Sequence, residues 1–319
     1  MTFVRRLAGV LLVVAAIAPA LHAQAQVPAV PPMTPIQVSP SAWYVQGLSA
    51  QGSPANQNFI SNAGFVITPA GVVVIDALGS PALAQRLLAE IRRLTAQPVT
   101  HVILTHYHAD HIYGLQAFKA VGAKVIAHEA GREYLTSETA RLRLEASRQE
   151  LAPWVNDDTH LVAADEWLKG DSELVVGGVR FVIRHVGPAH TEEDEVVYLP
   201  RERVLFAGDV VFRNRIPYVG QADSRQWIKS LDALLKFDAK VVVPGHGPMS
   251  TQAREDMELT RDYLQYLRQV MGAAAKNLEP WEDAYNAADW SRFDHLPLFR
   301  AANRMNAYNT YLLMEQDPD

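Results

Sequence analysis

The chain has 319 residues, with 29 Lys and Arg against 35 Asp and Glu, no cysteine, and a net charge of −6. The acidic balance and the lack of any basic run exclude a nucleic-acid partner, because phosphate backbones are held by clustered Lys and Arg. Without cysteine there is no disulfide framework and no thiolate ligand, so a metal site can use only His and carboxylates.

Residues 1–25 begin with the basic MTFVRR, continue with the apolar LAGVLLVVAAIAPAL and reach the small-residue site AQA. This is the pattern of a secretory leader, too short for a membrane span. Its removal takes Arg5 and Arg6 and leaves the mature chain at 27 basic against 35 acidic residues. The expected location is the periplasm or the outside, with no membrane contact after cleavage. Residues 26–41 are a Pro-rich lead-in.

From Trp43 the chain turns regular. WYVQG, NFISNAGFVIT and GVVVIDA read as strands. SPALAQRLLAEIRRLTAQ reads as an amphipathic helix capped by Ser80, with Pro81 in its first turn. VTHVILT is a buried-type strand. A helix is expected from the following turn to about Val121, then the strand AKVIAH. Residues 129–151 form a charged, solvated helix or a lid. The second half repeats the order coarsely. Its strands are GVRFVIRHV, EVVYLP and RVLFAGD, its helix is SRQWIKSLDALLKF, and its last strand runs AKVVVPGHG. Helices over 251–275 and 279–316 complete the chain and pack on the same core.

Chemistry concentrates at strand ends. THYHADH places His106, His108, Asp110 and His111 on one strand-to-helix turn. His106 and His108 are two apart, so extended backbone points both the same way, while Asp110 and His111 follow the turn and face a neighbouring point. The motif therefore divides into two half-sites, each needing ligands from the second half. His190, Asp209 and His246, each at the C-terminal end of a strand, are the available ones. Two metals sharing a hydroxide would follow, with the two oxygens of Asp209 able to bridge.

THYHADH at 105–111, GPAHT at 187–191, LFAGD at 205–209 and PGHG at 244–247 resemble the metallo-β-lactamase superfamily over roughly residues 40–250. The resemblance implies an α/β fold, a four-layer αββα sandwich over residues 42–250, with residues 251–319 as a helical extension. It implies that His106, His108 and His190 hold a first zinc, and that Asp110, His111 and His246 hold a second. Asp209 would bridge them, and Asp110 would orient a metal-bound hydroxide that attacks an ester, thioester, lactone or amide-type bond of a small-molecule substrate.

The chain departs from individual branches. HTEEDEVVYLP and YVGQADSRQWIKSLDAL resemble the lactamase subclass with a cysteine ligand, but Asp209 takes that cysteine's place. Phe212 stands for its carboxylate-binding lysine, and Tyr218 for its asparagine, so weak lactam hydrolysis is the expectation for this branch. Arg213 or Arg215 could anchor a carboxylate, although each reads as an exposed structural arginine. Glyoxalase-II-like thioesterases match LFAGDVVF but bring a basic cluster that the C-terminal helices lack. Exported zinc hydrolases linked to quinoprotein relay and sulfur oxidation look most similar. Asp209 is a harder ligand than cysteine, so iron or manganese is also tolerable and an iron-dependent redox role stays open. A non-catalytic metal-binding module is a further alternative, and the oligomeric state is left open.

Overall fold

A computed structural model describes residues 32–220 and 222–316; the leader reading and most of the Pro-rich lead-in lie outside them. A seven-stranded sheet has the order β1-β2-β3-β4-β5-β6-β7. Its strands are Ile36–Gln37, Ala42–Val45, Ala63–Thr68, Gly71–Ile75, Val99–Ile103, Lys124–His128 and Glu166–Leu168. β1 to β4 pair antiparallel and β4 to β7 parallel. The second sheet runs β12-β11-β10-β9-β8. It uses β8 (Ser172–Val176), β9 (Val179–His185), β10 (Glu195–Leu199), β11 (Val204–Phe212) and β12 (Val241–His246), and only β11 and β12 are parallel.

Three apolar layers hold the sandwich. Val73, Ile75, Ile103 and Ile126 from one sheet meet Phe181, Ile183, Val197 and Phe206 from the other. Outside the first sheet, α1 (Pro81–Leu94) buries Leu83, Leu87, Leu88 and Ile91, an i, i+4 stripe. Ser80 accepts the Leu83 amide as its N-cap, a bond worth about 1 kcal/mol. Outside the second sheet lie α6 (Ser224–Leu234), α7 (Ala253–Lys276), α8 (Trp281–Ala287) and α9 (Phe299–Gln316). The result is an αββα sandwich with a helical extension packed on one outer face.

Three expectations need correction. The helix after the motif is two short pieces, α2 (Ala109–Ile112) and α3 (Leu115–Ala120). The break lets Ala77 N–H reach the His111 carbonyl and Gly114 N–H the Leu78 carbonyl, tying the motif to the end of β4. Residues 129–151 also split, into α4 (Gly131–Thr136) and α5 (Glu138–Glu150), because Ser137 is extended and caps α5. Ile36–Gln37, inside the expected lead-in, pairs with β2 as an edge strand. The three-residue β7 is too short to stand out by period.

At the site end of the sandwich the apolar layer gives way to polar groups. Glu195 stands opposite His185 in register, and the His185 ring stacks on His128 at 3.7 Å. Glu195 is fully buried and neither carboxyl oxygen makes a well-aligned hydrogen bond. Burial, assisted by Asp171, pushes its carboxyl up to about 9. The folded state therefore holds a proton that the unfolded chain gives up above about pH 4.3. Stability is fully present below that value and falls as pH rises toward 9, by at most about 1.4 kcal/mol per pH unit. Glu195→Gln keeps the shape and removes the titration. Thermal unfolding of the variant should show a higher Tm than the parent at pH 8 and little difference near pH 4.5. A gain equal at both pH values would show that the carboxyl is not protonated.

Candidate metal centre

The motif builds itself from alternation and one turn. His106 and His108 point toward the groove, while Tyr107 between them is fully buried in the core outside the first sheet. His108 has extended dihedrals and starts α2, so Asp110 and His111 come around on a single helical turn. β11 delivers Asp209 through a bulge at Gly208, whose φ of +51° is a left-handed conformation suited to glycine. β12 delivers His246, and a Cβ on the preceding Gly245 would sit 1.9 Å from Asp209 Oδ1. Backbone thus approaches the carboxylate more closely than any side chain allows.

All seven expected residues converge, in two groups. His106, His108, His190 and Asp209 form one and Asp110, His111 and His246 the other, each with its candidate ligand atoms within 4.8 Å of one another. Asp209 lies between the groups. Its Oδ2 is 3.2 Å from His246 Nε2 and 3.4 Å from His190 Nε2, and its Oδ1 is 3.2 Å from His111 Nε2. Asp110 Oδ2 is 3.3 Å from His246 Nε2.

The electrostatics differ between the groups. Burial holds the His190 imidazole down to about 3, and His106 and His108 are also lowered by burial, so the three imidazoles of the first group are neutral. Burial alone would lower His111 and His246 too, but Asp209 and Asp110 outweigh it and hold both up. The same two imidazoliums outweigh burial at Asp209 and hold its carboxyl well below the usual range. A bound cation would displace these protons.

Sequence reasoning missed the groups that aim the ligands. Asp76, at the end of β4, accepts the Thr105 amide at 2.8 Å and the Thr105 hydroxyl at 2.9 Å, and its Oδ2 is 2.9 Å from His111 Nδ1. Thr105 Oγ1 is 3.0 Å from His106 Nδ1. His246 Nδ1 is 2.7 Å from the Ile60 carbonyl. These contacts set Nδ1–H tautomers and leave Nε2 free to face the centre. His106 Nε2, His111 Nε2 and Asp209 Oδ1 are buried with no aligned hydrogen-bond partner. Buried polar atoms without an aligned partner, gathered at one cluster of imidazoles and carboxylates, fit cation ligation. The only advance signal for Asp76 was a carboxylate closing the apolar run GVVVID.

The reading of Arg215 as exposed is wrong. It is only 9% exposed, its guanidinium covers the Phe212 ring, and Nη1 lies 3.1 Å from His246 Nδ1. The Nδ1 proton goes to Ile60, so the Arg215 contact is a close approach of two donors and not a hydrogen bond. Arg213 is half-buried and tied to Asp256 at 3.1 Å and to the Met249 carbonyl. Around His190 stand the rings of Phe212, Tyr218 and Trp227, at 5.8, 6.2 and 5.4 Å. Tyr134 of α4 edges onto His108 at 6.5 Å.

An αββα sandwich carrying a His- and Asp-rich cluster in a groove at its strand ends defines a class of metal-dependent hydrolases. The family model described as the Metallo-beta-lactamase superfamily matches residues 57–246, and the chain belongs to that superfamily. It is 27% identical over 250 residues to a linear primary-alkylsulfatase of Pseudomonas sp. (strain ATCC 19151), covering 67% of this chain and 47% of that one. It is 30% identical over 198 residues to a metallo-beta-lactamase type 2 of Bacillus sp. (strain 170), covering 60% and 69%. The structure of a metallo-beta-lactamase from Pontibacter korlensis superposes with a TM-score of 0.59 at 26% identity, covering 73% of this chain and 99% of that one. A sec-alkylsulfatase from Pseudomonas sp. shares the fold with a TM-score of 0.70 at 20% identity, covering 88% and 50%. The chain thus spans about half the length of these two alkylsulfatases. No helix among the described residues is long and apolar enough to cross a membrane.

Proposed function

We propose that this protein is an exported two-zinc hydrolase that cleaves a carboxylic acid derivative, namely an ester, thioester, lactone or amide. The observation that carries the reading is Asp209, whose Oδ1 faces His111 of one group and whose Oδ2 faces His190 of the other. His106, His108 and His190 would hold one ion and Asp110, His111 and His246 the other. Bound there, the ions would activate water and polarise the acyl oxygen.

The chain's own residues supply the rest. Asp110 keeps 16% of its side chain exposed, against 4% for Asp209, so it is the carboxylate that faces incoming water. It would orient that water and relay its proton onward. Asp76 and the Ile60 carbonyl keep the imidazoles from rotating. Phe212, Trp227 and Tyr218 exclude bulk water beside His190. Lactams are expected to be poor substrates. Phe212 stands where the cysteine-ligand subclass has its lysine, and Arg213 is engaged by Asp256. A second reading, sulfate-ester cleavage, is favoured by the relative named a linear primary-alkylsulfatase.

Elemental analysis of protein purified without added zinc, joined to a hydrolysis panel, tests both. The panel holds p-nitrophenyl acetate, an acyl thioester, a lactone, nitrocefin, dodecyl sulfate and a phosphoester, with Asp110→Ala as control. About two zincs per chain and metal-dependent turnover of the acyl compounds, with nitrocefin slow, is the expected result. Turnover of dodecyl sulfate alone would move the assignment to the second reading. Iron, or no turnover with metal bound, would overturn both.

A further inference from the structure

The loop that carries Tyr218 does not hold its own shape. Residues 213–220 follow β11 and bring the Tyr218 ring beside His190, and their backbone is bonded to the C-terminal helical layer. Asn306 of α9 is fully buried. Its Oδ1 accepts the Val219 amide at 3.0 Å, and its Nδ2 donates to the Pro217 carbonyl at 2.7 Å and to the Tyr263 hydroxyl at 2.8 Å. Tyr263 of α7 passes its own proton to Asn303 at 2.7 Å. Asn309, one turn further on, donates to the Gly220 carbonyl at 2.7 Å, and the Ile216 amide donates to the Pro297 carbonyl at 3.0 Å. A buried asparagine with both ends used is costly to leave unsatisfied, so it fixes the backbone that satisfies it.

Asn306 thus grips the peptide units on both sides of Tyr218. The side chain is left 40% exposed, with its ring 6.2 Å from His190. Of the three rings around His190, Phe212 and Trp227 are buried, so Tyr218 is the one a substrate can touch. Arg215, on the same loop, is buried over Phe212 and presents little surface to an incoming group.

We propose that Tyr218 selects substrates bearing an aromatic or apolar group next to the cleaved bond, and that α9 positions it through Asn306 and Asn309. The substrate part rests on the hydrolase reading; the clamp does not. A ring held in place loses little freedom on binding, and an edge or face contact with a second ring adds to its burial.

Calorimetric affinities of phenylacetate and acetate for the zinc-loaded protein test the proposal without requiring turnover. The parent should prefer phenylacetate by about tenfold, and Tyr218→Ala should bring the ratio near one. Asn309→Ala, which leaves the buried Asn306 in place, should lower the preference about threefold and speed hydrogen exchange of the 213–220 amides at unchanged zinc content. Asn306→Ala should do both more strongly if it folds. A parent without preference, or a Tyr218→Ala protein that keeps it, overturns the selection. Unchanged exchange and preference in Asn309→Ala overturn the clamp. A parent that fails to hydrolyse any ester leaves these binding ratios readable, so failure of the hydrolase reading is seen separately.

Discussion

Asp209→Ala should lower turnover of the best substrate by about a thousandfold or more and cut bound zinc from two ions to one or none. The side chain is almost fully buried, and it lies between the clusters, with Oδ1 3.2 Å from His111 Nε2 and Oδ2 3.4 Å from His190 Nε2. Two divalent ions held a few ångströms apart repel strongly unless an anion lies between them. An ion acting as a Lewis acid contributes several kcal/mol to the transition state, and about 4 kcal/mol corresponds to three decades in rate. Asp209→Asn separates charge from shape, because it keeps the volume and loses the bridge. Zinc stoichiometry and kcat measured on both variants decide the matter. Two zincs and near-normal turnover in Asp209→Ala would remove the bridging role.

Asp76→Asn should weaken zinc binding by about 10–100-fold, although Asp76 belongs to neither cluster. One carboxylate serves both half-sites. It meets His111 Nδ1 directly, and it reaches His106 through the Thr105 hydroxyl. Its three contacts, from the Thr105 amide and hydroxyl and from His111, all need an acceptor. An amide offers one acceptor oxygen and turns a donor toward at least one of them, leaving two donors face to face in a buried place. Asparagine is the clean choice because residue 76 has φ of +62°, which Asn tolerates and Ala strains. Competition with a chromophoric chelator reads the affinity of both ions. Loss at both steps is expected; loss at one alone would mean that the Thr105 relay to His106 carries no weight.

The seven candidate ligands were legible from local rules. Alternation sent His106 and His108 to one side, a single turn brought Asp110 and His111 around, and His246 closes β12 as expected, whereas Asp209 lies inside β11 and His190 in the loop after β9 instead of at strand ends. Each of these rules acts within a few residues. The capped helix at Ser80 and the buried strands around Val72–Ile75 were legible for the same reason.

What lay beyond local rules was every contact between distant segments. Asp76 meets His111 35 positions later, and Asn306 meets Val219 87 positions earlier. Arg215 looked exposed because a charged residue in a polar loop usually is, yet the fold packs it over Phe212. The pairing of β1 with β2 and the three-residue β7 were set by the sheets that recruit them and not by their own periodicity. Sequence by itself determined which side chains gather as candidate metal ligands, because ligand type and spacing are properties of short stretches. Only the tertiary structure decided how those atoms are aimed, which proton each imidazole carries and what wall a substrate meets, because burial and hydrogen-bond partners come from chain segments that no local period connects.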